Sequence, residues 1–212
     1  MIRFSDAKAV PLPQPVERGF RADVAELEAL ITPRTKLVIV NSPHNPTGAM
    51  LTADELAAIG KLASARGLWV LSDEIYSRIT YGLEHHTLLR WCDPARTVVL
   101  DGFSKTYAMT GWRLGYGTMP AEFAVPMARL QTNATSCTAS MTQMAGVAAL
   151  RGPQDEVDRM VAEFRRRRGV IVSGLNALDG VSCVEPQGAF YVFPDIRGTG
   201  LSSKDLESRL LA

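Results

Sequence analysis

The sequence predicts an α/β fold, in which a mostly parallel sheet is flanked by helices. Three short apolar runs, residues 36–40, 68–71 and 97–100, have the length and composition of buried strands. An amphipathic helical pattern separates the first two runs, and such strand-helix-strand crossovers join parallel strands. We expect a large domain over residues 1–150 and part of a small α+β domain over residues 151–212.

Two capping signals define helices around the first strand. Asp23 with Glu26 three positions later predicts the start of a short helix before the strand. Thr52 with Glu55 predicts a second helix after it, and Gly67 is suited to end that helix in the left-handed conformation. Each signal lies directly before an apolar stripe of helical period, which supports the alternation of strands and helices.

The second half of the chain is less regular. A long helix that starts at Pro153 is expected to bury a stripe that includes Ile171. It is expected to expose the basic run Arg165–Arg168, since acidic residues precede that run on the same helix. The predicted elements are a strand at 112–118, helices at 121–130 and 141–150 with a loop at 132–140, a long helix from Pro153, and strands at 181–184 and 188–193.

Composition excludes several classes of protein. The net charge is +1, which gives no electrostatic case for a nucleic-acid or anionic-membrane partner. No run of about 18 apolar residues is present, so no membrane span is expected. Cys92, Cys137 and Cys183 are odd in number and lack the spacing of a metal site or disulfide framework. They are interpreted as buried thiols of a cytoplasmic protein.

Polar side chains follow each of the three predicted strands. Asn45 lies in a loop stiffened by two prolines, Asp73 and Tyr76 follow the second strand, and Lys105 and Arg113 follow the third. The carboxyl ends of parallel strands lie at one edge of a sheet, where open α/β sheets bind their ligands. We therefore expect these five residues to converge on one crevice.

The chemistry of these groups suits a phosphorylated aldehyde cofactor. A lysine amine can condense with an aldehyde, and the fork of arginine donors matches a phosphate. Taken singly, each group also has a plain structural interpretation: Asn45 as part of a turn, Asp73 as a cap, Lys105 as a surface residue and Arg113 as a structural one. Their spacing after successive strands favours the functional interpretation.

Three segments carry a resemblance to a known family. Residues 102–115, GFSKTYAMTGWRLG, resemble the pyridoxal-phosphate attachment motif of class I and II aminotransferases of fold type I. Asn45-Pro46-Thr47-Gly48 and Ser72-Asp73-Glu74-Ile75-Tyr76 are similar to two further segments of that family. The resemblance extends over essentially the whole chain and implies the large domain of such an enzyme.

The resemblance also implies a role for each candidate residue. It implies that Lys105 forms an aldimine with pyridoxal 5'-phosphate and later acts as general base and acid, and that Arg113 binds the phosphate. It implies that Asp73 pairs with the pyridine nitrogen. Asn45 and Tyr76 would bind the phenolic oxygen of the cofactor.

The implied activity is amino-group transfer between an amino acid and a 2-oxo acid, by a homodimer. Residues 109–116 look most like the aspartate or aromatic aminotransferase branch. Three alternatives stay open: a lyase acting on a sulfur-containing or cyclic amino acid with the same cofactor, the sensor domain of a transcription regulator, and a scaffold without cofactor. Product analysis separates the first of these from transfer.

Parts of the family pattern are not found in these residues. The pattern includes an upstream phosphate-binding segment, an upstream aromatic that stacks on the ring, and a downstream arginine that binds the substrate carboxylate. We therefore expect the chain to be a fragment of a longer enzyme. Gly102 stands where some relatives have a phosphate-binding serine, and Glu74, His85 and His86 are predicted to be a structural residue and two solvated loop residues.

Overall fold

A computed structural model describes residues 2–212. It has one four-stranded sheet in the order β1-β2-β3-β4, formed by Leu37–Asn41, Trp69–Asp73, Thr97–Gly102 and Gly115–Thr118. The β1–β2 and β2–β3 pairs are parallel, and β3–β4 is antiparallel. The α-helices are α1 Val24–Leu30, α2 Ala53–Ala65, α3 Phe103–Thr106, α4 Ala121–Thr135, α5 Ser140–Arg151, α6 Asp155–Asn176 and α7 Ser203–Leu210. The predicted α/β class and mostly parallel sheet are confirmed.

The strand register aligns the carboxyl ends of the three parallel strands. Asn41, the last residue of β1, is paired with Asp73, the last residue of β2. Asp73 is in turn paired with Leu100, two residues before the end of β3. The polar residues that follow these strands therefore begin from one edge of the sheet.

One face of the sheet packs against α1 and α2. Along β1, Val38 and Val40 are buried, whereas Leu37 and Ile39 point to the other face and stay exposed. This period of two is what a strand covered on one side produces. The buried residues of this core are Leu27, Val38, Val40, Leu51, Leu56, Ile59, Ala63, Leu68, Val70, Leu88 and Cys92.

Both predicted helix starts are present, with different caps. The Thr52 hydroxyl accepts from the Glu55 backbone N–H, and the Glu55 carboxylate accepts from the Thr52 backbone N–H, which completes the capping box of α2. At α1, the Asp23 carboxylate accepts from the backbone, but Glu26 is paired with Arg18 instead of closing the box. Local side-chain chemistry thus sets both starts.

Two helical glycines should respond oppositely to alanine. A Cβ on Gly60 in α2 would lie 2.7 Å from the carbonyl oxygen of Trp91, so we expect Gly60→Ala to destabilise the fold by about 1–3 kcal/mol. A Cβ on Gly169 in α6 meets nothing within 4 Å. Gly169→Ala should therefore stabilise it by about 0.5–1 kcal/mol. Urea unfolding of both variants checks this. A change of the free energy of unfolding in the same direction for both variants would contradict the packing described.

Several elements of the second half differ from the predictions. β4 begins at Gly115, because Thr110–Trp112 forms a 3-10 turn, and α4 continues to Thr135, into the predicted loop. The predicted strands at 181–184 and 188–193 do not form. The backbone there makes only isolated bridges, Thr80 to Gly188 and Ser182 to Asp195.

The segment at 187–189 is held by loops instead of a strand. Gln187 accepts from Tyr81 N–H, Ala189 donates to the Ile79 carbonyl, and Gly188 donates to the Gly48 carbonyl. Ala189 has φ of 57°, a left-handed conformation that interrupts an extended chain. Long-range partners therefore override the strand pattern of this segment.

The long helix α6 also corrects two expectations. Val172 is buried in place of Ile171, which is 47% exposed. Within the basic run, Arg168 is largely buried, with its guanidinium 4.8 Å from the ring centre of Tyr81.

The prediction of buried cysteines is wrong at one position. Cys92 and Cys183 are buried as expected, but Cys137 is exposed.

No helix within residues 2–212 combines the length and apolarity needed to span a bilayer. In the same residues, His, Cys, Asp and Glu side chains form no group of three or more that could hold a metal ion.

Candidate active site

The loop that carries Asn45 is attached to the end of β2 by Asn41. The Asn41 side-chain amide donates a 3.0 Å hydrogen bond to the Asp73 carbonyl, and its amide oxygen accepts a 2.8 Å bond from the Asn45 backbone N–H. Asn41 therefore fixes the spacing between the two predicted site segments. Sequence analysis missed this residue, although a polar side chain at the last position of a buried strand is a detectable signal.

Tyr76 lies at the centre of the site. Its side chain is buried, and its hydroxyl oxygen is 2.6 Å from the hydroxyl oxygen of Tyr191. Burial raises the pKa of Tyr76 above its usual value, and the negative charge of Asp73 acts in the same direction. The nearby Asn45 side chain opposes this rise in pKa. Asn45 and Asp73 therefore both act on the Tyr76 hydroxyl.

Lys105 reaches the same place from the third strand. It is the third residue of α3, which begins directly after β3. Its half-buried Nζ lies 5.9 Å from the ring centre of Tyr76 and 5.6 Å from that of Phe190, within the range of cation–π attraction. Of the five predicted residues, Asn45, Asp73, Tyr76 and Lys105 are thus brought together at one edge of the sheet.

Arg113 is placed differently from the other four. Its side chain is exposed, and its guanidinium donates a 2.8 Å hydrogen bond to the Thr110 carbonyl. Within the part of the chain that the structure describes, it is hydrogen-bonded to none of the other predicted site residues. Its backbone has φ of 54° and ψ of 48°, a conformation that costs a non-glycine residue energy and is enriched at ligand sites.

Gly102 is explained by the packing of β3 against β4. A Cβ built on Gly102 would lie 2.9 Å from the Cα of Gly115 and 3.1 Å from the Leu114 carbonyl oxygen. These are backbone atoms, which cannot move aside as a flexible side chain can. A serine at this position would therefore require β4 to shift.

Glu74 holds the loop behind the site, as predicted for a structural residue. Its buried carboxylate accepts hydrogen bonds from the Ser72 and Thr87 hydroxyls and from the Leu88 backbone N–H. Burial alone would raise the pKa of Glu74, but hydrogen bonds from His85, Ser72 and Thr87 outweigh it and leave the pKa lowered.

The prediction that His85 is a solvated loop residue is wrong. Its Nε2 lies 3.1 Å from Glu74 Oε2, and its side chain is only 15% exposed. The loop folds over the buried carboxylate, which supplies a partner that sequence analysis had not considered for this histidine. His85 thus belongs to the hydrogen-bond network of Glu74.

Comparison with known proteins identifies relatives of this chain. The family model described as aminotransferase class I and II matches residues 1–212. The aspartate aminotransferase of Geobacillus stearothermophilus is 44% identical over 184 residues, which are 85% of this chain and 47% of that protein. The aromatic-amino-acid aminotransferase 2 of Thermococcus litoralis is 40% identical, over 98% of this chain and 54% of that protein.

Solved structures give the same result. The structure of aspartate aminotransferase from Thermus thermophilus with maleate matches with a TM-score of 0.91 and 37% identity, over 99% of this chain and 55% of that one. The aspartate aminotransferase from Rhizobium meliloti matches with a TM-score of 0.88 and 40% identity, over 93% of this chain and 50% of that one. The chain spans about half the length of the curated relatives that it matches.

Proposed function

Because this chain belongs to the class I and II aminotransferases, we propose that it moves an amino group between an amino acid and a 2-oxo acid with the help of pyridoxal 5'-phosphate. The observation that carries the proposal is the position of Lys105. Its amine lies 5.9 Å from the ring of Tyr76, which also interacts with Asn45 and with the charge of Asp73. An amine, a phenol, an amide and a carboxylate thus share one sheet edge.

This set of groups fits the cofactor chemically. A pyridoxal ring carries an aldehyde, a phenolic oxygen and a pyridine nitrogen, which require an amine, hydrogen-bond donors and a carboxylate respectively. Lys105, Tyr76 with Asn45, and Asp73 supply these three kinds of partner. Arg113, which is exposed and hydrogen-bonded to the Thr110 carbonyl, would supply a charged fork for the phosphate.

Each residue then has a defined part in the reaction. When bound, pyridoxal phosphate supplies an aldehyde that condenses with amines and a ring that accepts the electron pair left at the substrate Cα. Lys105 would take the proton from that Cα as general base and would then deliver a proton to the cofactor carbon as general acid. Asp73 would hold a proton on the pyridine nitrogen, while Tyr76 and Asn45 would donate hydrogen bonds to the phenolic oxygen.

Asp73→Asn should separate this electrostatic role from folding. Asparagine keeps the size of the side chain and can still accept the hydrogen bond from Ile75 N–H, but it cannot hold a proton on the ring nitrogen by charge. We expect turnover to fall by about 100-fold or more, with thermal stability nearly unchanged. Steady-state kinetics and thermal unfolding of the same preparation measure both. Turnover at the wild-type level would exclude this role for Asp73.

A donor screen tests the function itself. The full-length protein is incubated with pyridoxal phosphate, 2-oxoglutarate and either aspartate or an aromatic amino acid. These two donors are chosen because the relatives include an aspartate aminotransferase and an aromatic-amino-acid aminotransferase. Transfer predicts equal amounts of glutamate and of the oxo acid that corresponds to the donor. Loss of a side-chain group without glutamate formation would identify a lyase instead.

We extend the proposal to a cytoplasmic homodimer, with residues 1–150 as the cofactor-binding domain and residues 151–212 as part of a small domain. Helices α4 and α5 expose several large apolar side chains, which supports an interface there. The free cysteines support a reducing compartment. Light scattering tests the assembly, and a monomeric mass at micromolar concentration would contradict it. The apolar side chains are Val125, Leu130, Met141, Met144 and Leu150.

A further inference from the structure

Tyr191 makes a specific contact with the central residue of the site. Its hydroxyl oxygen lies 2.6 Å from that of Tyr76, at the short end of O–H to O hydrogen bonds. The two rings meet edge to face, with centres 5.6 Å apart and planes at 81°. Both the apolar and the polar part of Tyr191 are therefore in contact with Tyr76.

The segment that carries Tyr191 is fixed by both neighbouring loops. Gly188 N–H donates to the carbonyl of Gly48, in the loop of Asn45. Ala189 N–H donates to the carbonyl of Ile79, three residues after Tyr76. The Tyr81 hydroxyl also donates to the Ala189 carbonyl. Tyr191 is thus held in place independently of its own hydroxyl, which makes it a rigid support.

The Tyr76 hydroxyl has several polar and charged neighbours but only one proton to donate. A phenol carries one proton and can accept two hydrogen bonds. Tyr76 faces the Tyr191 hydroxyl, the Asn45 amide, the charge of Asp73 and the Lys105 ammonium over its ring. Because Tyr191 can donate to the Tyr76 oxygen, it can leave the Tyr76 proton free to point to a further acceptor.

We propose that Tyr191 is a positioning residue, whose hydroxyl donates to Tyr76 and directs the Tyr76 proton toward the phenolic oxygen of the cofactor. The cofactor part of this inference rests on the proposed function, whereas the hydroxyl pair does not. Hydrogen bonds in such a chain strengthen one another. Loss of the Tyr191 hydroxyl should therefore weaken cofactor binding as well as the pair.

The test is ¹⁹F NMR of protein labelled with 3-fluorotyrosine and freed of cofactor, with the Tyr76 signal assigned by its loss in Tyr76→Phe. Tyr191→Phe keeps the ring and removes the hydroxyl, and we expect it to move the Tyr76 signal. Tyr81→Phe is the matched control, because it removes another hydroxyl hydrogen bond that holds the same segment, one made to the Ala189 carbonyl and not to the Tyr76 hydroxyl. This control should leave the Tyr76 signal in place.

A second measurement follows cofactor binding by absorbance. We expect the dissociation constant of pyridoxal phosphate to rise by about tenfold in Tyr191→Phe and by less than about twofold in Tyr81→Phe. An unmoved Tyr76 signal in Tyr191→Phe, or equal shifts in both variants, would overturn the positioning role. Absence of cofactor binding by the wild-type protein would instead remove the proposed function, while the ¹⁹F result still decides whether the hydroxyl pair exists.

Discussion

Replacing Lys105 with alanine is expected to lower turnover by at least about 10⁴-fold. The variant loses the only group that we assign to both the condensation with the cofactor aldehyde and the proton transfers at the substrate Cα. The remaining groups, Tyr76 and Asp73, can still bind and polarise a ring but cannot move that proton. Steady-state kinetics with a matched amino donor and oxo acid measure the effect.

The control for this substitution is Lys61→Ala. Lys61 is an exposed lysine of α2 and is none of the predicted site residues, so its loss should leave turnover within about twofold of the wild type. Thermal unfolding should be nearly unchanged in both variants, because among the described residues the Lys105 ammonium makes no hydrogen bond or salt bridge, and alanine keeps the backbone carbonyl that accepts from Ala108 N–H. Near wild-type turnover in Lys105→Ala would refute the mechanism.

Glu74→Ala should lower the free energy of unfolding by about 3–5 kcal/mol. The substitution leaves the buried Ser72 hydroxyl and the buried Leu88 backbone N–H without this acceptor, and it also removes the hydrogen bond from the Thr87 hydroxyl. Urea unfolding measures the loss. Glu207→Ala, an exposed glutamate of α7, is the control and should change stability by less than about 0.5 kcal/mol. Equal stability of the two variants would contradict the network around Glu74.

The same network predicts a dependence on pH. The folded-state pKa of Glu74 is lowered from 4.5, so its contribution is fully present above that unfolded value. As the pH falls through the lower folded-state pKa, the carboxylate is protonated and the contribution is lost. Glu74→Gln should therefore show a flatter decline of stability on the acid side of pH 4.5 than the wild type. An equally steep decline of stability in the wild type and in Glu74→Gln would show that another group controls acid unfolding.

The parts of the fold that follow from local chemistry were predictable from the sequence. Thr52 and Glu55 give the capping box, and the β-branched runs give three strands within one or two residues. The convergence of Asn45, Tyr76 and Lys105 was predictable too, because parallel strands bring their carboxyl ends to one edge.

The parts that depend on distant partners were not predictable. The apolar pattern at 188–193 indicates a strand, but the backbone of Ala189 bonds to Ile79 across the fold and turns left-handed. Tyr191 is 115 residues from Tyr76 in the chain, so no local spacing connects them. His85 was predicted to be a solvated loop residue, since nothing near it in sequence marks Glu74 as its partner.

The central claim is that Lys105 is the attachment point of the cofactor. Borohydride reduction fixes pyridoxal phosphate permanently to the amine with which it has condensed, and peptide mass mapping then locates it. The sequence contains five lysines, Lys8, Lys36, Lys61, Lys105 and Lys204, so the outcome is easily resolved. The account predicts the mass increase on the peptide with Lys105 and not on the others. Modification spread over the exposed lysines, with the Lys105 peptide unmodified, would contradict it.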